Sequence, residues 1–240
     1  MIVFMSSVQK LIFDVETIGA EFESLDPISQ EYFRKYAETD EELEEAKDRL
    51  SFSPLTGEIV AIGALNPDTM KGKVFLRVPE GTKKPLPEEL EEGVVLETGN
   101  EKEVIQKFWD TAKNYAEFVS FNGRSFDVPY LLIRSAILGV QPTKNLMANR
   151  YVSSQPFGAR HIDLLDQLTF YGAVRKKFNL HFWSKAFGVK SPKEDGVTGD
   201  DVKKLYEARR YLDIARYNYG DLLATKELYD RWAKYLRFDA

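Results

Sequence analysis

Lys10-Leu11-Ile12-Phe13-Asp14-Val15-Glu16-Thr17 is an apolar run interrupted by two carboxylates. Its large and β-branched residues read as a buried strand. Side chains two apart on a strand share a face. Asp14 and Glu16 therefore project together, while Leu11, Phe13 and Val15 project from the other side. Two like charges about 4 Å apart repel by roughly 4 kcal/mol at an effective dielectric of about 20. A divalent cation reverses that local charge balance. The plainer alternative is a strand that ends at Asp14 with both acids in water. What separates the two readings is whether acids from elsewhere in the chain join them.

Outward from this strand, residues 21–50 are charged and carry apolar residues at helical intervals, which predicts one or two helices inserted before the next strand. The acidic run 38–45 reads as a solvated helix face. Ser53-Pro54-Leu55-Thr56-Gly57 is a turn. Residues 58–66 and 72–78 then form two strands joined by a short connection, an antiparallel meander with the first. Residues 79–100, rich in Pro, Glu and Gly, are expected to be mostly loop. A helix over 101–115, a strand over 118–121 and a helix over 128–138 ended by Gly139 follow. Residues 160–168 read as a strand or a short helix. Helices are expected over 178–187, 200–211 and 213–236. The fold class is α/β: a mixed β-sheet, with an antiparallel meander plus parallel strands, flanked by helices. Residues 1–240 are expected to form a single domain with a helical insertion around 21–52.

A second acid lies in Phe121-Asn122-Gly123-Arg124-Ser125-Phe126-Asp127, where a strand hands over to a helix. Asn-Gly makes a sharp turn there. Asp127 is either a helix cap that bonds free amides or an acid brought to the sheet edge beside Asp14 and Glu16. In the second case Asn122 and Arg124 offer donors suited to phosphate and sugar oxygens. Phe126 then offers a stacking face. A third constellation, Tyr217-Asn218-Tyr219-Gly220-Asp221, sits in the last helix. Tyr217 and Asp221 are one turn apart on one face. Gly220 is a candidate for close approach of helix and sheet.

Taken in order, Asp-x-Glu, Asn-x-x-x-Phe-Asp and Tyr-x-x-x-Asp resemble the three motifs of the DEDD exonucleases, in their tyrosine (DEDDy) branch. The stretch 122–131, His161-Ile162-Asp163-Leu164 and the region 195–221 are similar to stand-alone predicted exonucleases related to the proofreading domain of family B DNA polymerases. The resemblance covers nearly the whole chain. It implies a ribonuclease H-like fold and 3′→5′ hydrolysis of nucleic acid, with single-stranded DNA as the expected substrate and nucleoside monophosphates as products. It also implies two divalent cations, Mg2+ or Mn2+. Asp14, Glu16, Asp127 and Asp221 match the family's four metal-holding acids and Tyr217 its tyrosine. Thr17 and Asn122 fall where the family contacts the terminal nucleotide. The alternatives are a non-catalytic nucleic-acid-binding module and an RNA-processing nuclease on the same fold.

Composition agrees with these expectations. The chain has 240 residues, 43% hydrophobic and 13% aromatic, as in ordinary globular proteins. It has no cysteine and only two histidines, His161 and His181, which excludes thiol catalysis and three-His zinc sites. Any metal site must rest on carboxylates and favour hard ions. The absence of cysteine fits a cytoplasmic location. There is no apolar run of about 18 residues, so no membrane span is expected, and residues 1–8 lack the pattern of a signal peptide. The net charge of −5 argues against non-specific wrapping of nucleic acid. Arg175-Lys176-Lys177, between Tyr171 and Phe178, reads as a strand-backbone contact or a solvated turn. His161 reads as a core histidine, Asp163 as a cap or a group behind the metals, and Phe182 and Trp183 as packing residues.

Overall fold

The structure is a computed structural model that describes residues 8–82, 86–191, 196 and 198–238. Residues 1–7, most of the stretch read for a signal peptide, lie outside the described residues, as does Asp195. Among the described residues, seven strands form one sheet in the order β4-β5-β3-β2-β1-β6-β7. They are β1 (Lys10–Gly19), β2 (Gly57–Leu65), β3 (Gly72–Arg77), β4 (Glu89–Glu91), β5 (Val94–Gly99), β6 (Glu117–Ser120) and β7 (Arg160–Asp163). β1, β2 and β3 make the expected antiparallel meander. β6 pairs parallel to β1 and β7 parallel to β6, so the carboxyl ends of these three strands share one edge.

Most of the described part of residues 79–100 is loop, as expected, but two short strands that were not expected, β4 and β5, lie within it. Val94 and Leu96 are buried against β3, which β5 extends as a parallel neighbour, while Glu89 and Glu91 face solvent around the buried Leu90. The acidic composition belongs to the outer face of an edge strand, where charge discourages further pairing.

Helices cover both faces. α3 (Glu101–Ala112) and α4 (Asp127–Leu138) pack Phe108, Trp109, Tyr130 and Leu131 against Leu11, Phe13 and Val15. α8 (Tyr211–Tyr235) lies on the other face, where Ile12, Ile18, Val119 and Ile162 meet Ile214, Leu222 and Leu228. This is the alternation that the first strand requires. α7 (Val202–Glu207) and α8 are separate helices, as expected, but α7 is shorter than 200–211 because the chain turns through Arg209 at φ 57°. α5 (Leu164–Leu168) follows β7 directly, so 160–168 is strand and then helix, and α6 (Leu180–Phe187) packs Trp183 on the core beside α8. Phe182, expected to pack, is instead exposed on α6.

The insertion between β1 and β2 holds α1 (Pro27–Tyr36) and α2 (Asp40–Asp48), with short 3-10 turns at Phe22–Ser24 and Arg49–Phe52. Neither long helix buries a residue fully, and the acidic run 38–45 is mainly exposed, as its charge requires. Phe22 and Leu50 anchor the insertion. The Thr17 hydroxyl donates to Ser51 O at 2.9 Å and ties it back to β1.

Candidate active site

Asp14 and Glu16 project from β1 toward α8, and α8 brings Asp221 to them. Carboxylate oxygens of the three residues lie within 4.8 Å of one another. Asp127 reaches β1 from the opposite helical layer. β6 leaves the sheet at Ser120, which frees the Val15 N–H, and Asp127 Oδ1 accepts it at 2.9 Å. Asp127 is the first residue of α4, and the cap position before it is Phe126, whose side chain bonds nothing there. The carboxylate thus serves β1 and is not the cap residue of its own helix. Gly123 makes this turn possible, since a Cβ there would collide with the Ser120 side chain and lie 3.5 Å from Asp127 Oδ2.

The electrostatics are those of crowded acids. Burial, followed by the charge of Asp221, holds Asp14 well above the usual carboxylate range. Glu16 is raised by burial and then by Asp14, Asp221 and Asp127. Asp127 is raised by burial and then by Asp14. Only hydrogen bonds, from Asn218 and from backbone amides, oppose these shifts. Tyr217 is pushed up by burial and by Asp221, Glu16 and Asp14, so its hydroxyl is protonated at neutral pH.

Among the described residues, one buried carboxylate oxygen of this cluster, Glu16 Oε1, has no hydrogen-bond partner. A buried acceptor without a donor is costly. Carboxylate oxygens are the donor set that magnesium and manganese prefer. The residues therefore fit a divalent cation. A cavity of about 660 Å³ opens beside the cluster, lined by Glu16, Thr17, Leu50, Phe52, Phe126 and Lys203 among others. Phe52 and Phe126 meet edge to face at 6.3 Å.

Residues 88–238 match the model of a family described as predicted 3′-5′ exonucleases related to the exonuclease domain of PolB. The chain belongs to this family. Asp127, Tyr217 and Asp221 fall inside the matched span, and Asp14 and Glu16 precede it. A curated relative, a DNA polymerase of Desulfurococcus sp. (strain Tok), is 30% identical over 152 residues, which cover 56% of this chain and 18% of the polymerase. The chain therefore spans less than a fifth of that relative. Among solved structures, the family B DNA polymerase of the hyperthermophilic archaeon Pyrobaculum calidifontis superposes with a TM-score of 0.57 at 20% identity. That likeness covers 95% of this chain and 25% of the polymerase, and it establishes the ribonuclease H-like fold.

Within the PolB-related exonuclease family frame, the remaining candidates fall into two groups. Thr17 and Phe126 line the cavity next to Glu16. Asn122 and Arg124 build the turn: both main-chain N–H groups donate to Asp163, at 2.9 Å each, and Asn122 sits at φ 62°. The Arg124 guanidinium donates to Leu146 O at 3.1 Å and to Met147 O at 3.5 Å. Asp163 also caps α5, accepting from Leu165 N. His161 is a core histidine. Its Nδ1 faces Leu146 O, so that nitrogen carries the proton and Nε2 accepts from the Ser120 hydroxyl at 2.8 Å. Burial lowers its pKa to about 3.

Sequence reasoning missed Asn218. It is fully buried and donates to Asp14 Oδ2 at 2.9 Å. The signal was there: a polar residue three before Asp221 shares its helix face. The close approach of helix and sheet lies at Gly63 of β2, where a Cβ would overlap Asn218 Oδ1 and lie 2.7 Å from Leu222 Cδ1.

Proposed function

We propose that this chain is a metal-dependent 3′→5′ exonuclease that shortens nucleic acid, single-stranded DNA by preference, to nucleoside monophosphates. The observation that carries the reading is the convergence of Asp14, Glu16 and Asp221 within 4.8 Å, with a buried Glu16 oxygen left without a donor. Residues 1–240 would act as one exonuclease domain, with the helices around 21–52 as an insertion at its entrance. Asp14, Glu16, Asp127 and Asp221 would hold two divalent cations, magnesium or manganese. When bound, such ions acidify water and stabilise charge on the attacking and leaving oxygens of a phosphodiester.

The chain's own residues do the positioning. Asn218 fixes the Asp14 carboxylate, and the Val15 N–H fixes that of Asp127. The Tyr217 hydroxyl, kept protonated by burial and by the acids around it, would orient the attacking water. It stands one turn from Asp221 on the same helix. Thr17 and Phe126 would contact the terminal nucleotide from the cavity wall. Asn122 and Arg124 would contact its sugar-phosphate backbone from the turn they build. A nucleic acid with a free 3′ end is the expected partner. Among the described residues, no helix is long and apolar enough to cross a membrane.

The test uses DNA and RNA oligonucleotides labelled at the 5′ end, with magnesium or manganese and with chelator. Asp14→Ala and Asp221→Ala should each abolish stepwise shortening, and chelator should do the same. Shortening that survives both substitutions, or cleavage of a circular single strand, would overturn the reading.

A further inference from the structure

Charge is unevenly distributed along this acidic chain. Residues 128–191 contain nine Lys or Arg and only two acids, Asp163 and Asp166. The remaining residues carry 24 Lys or Arg against 36 Asp or Glu. Both acids of the basic stretch are buried and engaged. Asp163 holds the Asn122–Arg124 turn, and Asp166 takes a two-point bond from Arg150, at 2.6 and 2.9 Å. The outer surface of residues 150–182 therefore shows cations with no exposed carboxylate of its own. Such asymmetry marks a surface for polyanions.

Aromatic rings stand among these cations. Phe170, Phe178 and Phe182 are exposed, with Phe170 at 52% and Phe182 at 53%. Phe178 and Phe182 lie 4.7 Å apart with their planes tilted by 36°, and Lys176 Nζ sits 4.9 Å from the Phe178 ring. Arg175 and Lys177 are exposed beside them. Tyr171, at φ 56°, packs against Tyr151 at 4.8 Å. Exposed rings leave apolar faces in water. Alternating rings and cations are what a single strand needs, because its bases present open π faces and its backbone a regular negative charge.

The surface is joined to the acidic cluster by a continuous chain of contacts. Asp127 belongs to the turn that Asp163 holds; Asp163 caps α5; Asp166 of α5 clamps Arg150; Arg150 lies 5.9 Å from the Tyr171 ring. β7 ends at Asp163, on the edge shared by the carboxyl ends of β1 and β6. Residues 170–182 therefore begin seven residues beyond the edge where the acids converge.

Resting on the exonuclease reading, we infer that the surface of Phe170, Arg175–Lys177, Phe178 and Phe182 is a track for the single-stranded nucleic acid that trails from the cleaved end. Cations hold successive phosphates and the phenylalanines stack on bases. The track gives affinity for length and takes no part in the hydrolysis.

A labelled 20-nucleotide oligothymidylate is titrated with the full chain in chelator, and its anisotropy is read over a range of salt. The variants are Lys176→Ala with Lys177→Ala, and Phe178→Ala with Phe182→Ala. Hydrolysis of the p-nitrophenyl ester of thymidine 5′-monophosphate, too small to reach the track, reports the chemistry separately. Each double variant should bind the 20-mer at least tenfold more weakly and cleave the ester as the parent does. The lysine pair should flatten the logarithmic salt slope by about 1.4, at about 0.7 for each phosphate no longer neutralised. Unchanged 20-mer affinity in both variants, or equal affinity of the parent for blunt duplex, would overturn the track. A chain that binds through these residues but cleaves neither substrate would sink the exonuclease reading and leave the track standing. Should an alanine variant melt early, Lys176→Gln with Lys177→Gln replaces it with the same expectation.

Discussion

Asn218 on α8 donates its side-chain amide to Asp14 twice, to Oδ2 at 2.9 Å and to the main-chain oxygen at 3.3 Å. One residue therefore fixes both the carboxylate and the strand that carries it. Asn218→Ala should slow end-shortening by about 10–100-fold, the usual cost of losing a group that orients a metal-binding acid. It should also lower stability by about 1–2 kcal/mol, as a buried hydrogen-bonding partner is removed. Single-turnover rates and urea midpoints read the two effects. Full activity would show that Asp14 needs no such support.

Gly63 is where α8 comes closest to β2, leaving no room for a side chain beneath Asn218 and Leu222. Gly63→Ala should destabilise the chain by about 1–3 kcal/mol through overpacking. It should also lift Asn218 from Asp14, with activity falling further than the stability loss explains. A variant as stable as the parent would mean that the helix gives way without cost.

Glu16 is raised by burial and by three neighbouring acids. In chelator at pH 7.5, Glu16→Gln should make the chain more stable by about 1 kcal/mol, since like-charge repulsion is removed from a buried site. The parent should gain about 2.7 kcal/mol at manganese concentrations about 100 times its dissociation constant, and the variant much less. Calorimetry with and without manganese reads both signs at once. A less stable Glu16→Gln with the full manganese response would contradict this account.

His161 is neutral in the fold, its pKa lowered by burial from 6.5 to about 3. The unfolded chain takes up a proton near pH 6.5 and the folded chain does not until near pH 3. Stability from this group is intact above pH 6.5 and is lost progressively as pH falls toward 3, by on the order of 5 kcal/mol. The urea midpoint of the parent should therefore fall more steeply over that window than that of His161→Asn. Parallel curves would show that the imidazole does not stay neutral.

Much of this was legible in the sequence, and the reasons are local. The alternation of Leu11, Phe13 and Val15 with Asp14 and Glu16 reflects two buried faces of one strand, and the structure has a helical layer on each. Tyr217 and Asp221 were one helical turn apart by count, and α8 holds them close enough for the Asp221 charge to act on the tyrosine hydroxyl. Illegible parts depended on distant partners. β5 has a short strand signal in Val94-Val95-Leu96-Glu97-Thr98, masked by the Pro-, Glu- and Gly-rich stretch around it, and β3 offers it an edge. Asp127 looked like a cap because Asp before an apolar helix usually is one. Only the early exit of β6 leaves the Val15 amide for it. Asn218 was visible but ordinary until Gly63, 155 positions earlier, brought the helix down on it.

β1 and β2 slip by one residue just past the acids: Glu16 stands opposite Ala61, Thr17 opposite Ile59, and Val60 is the extra residue. Pairing on the acidic side of this slip is set by the meander, and on the far side by whatever loop the two strands carry. The bulge separates the register at Asp14 and Glu16 from the register at the strand ends that carry the 21–52 helices. The length of that entrance can therefore vary with the pairing of the acids kept, whereas its charge, through Glu44 and Lys47 on the wall shared with Glu16, acts on the carboxylates directly.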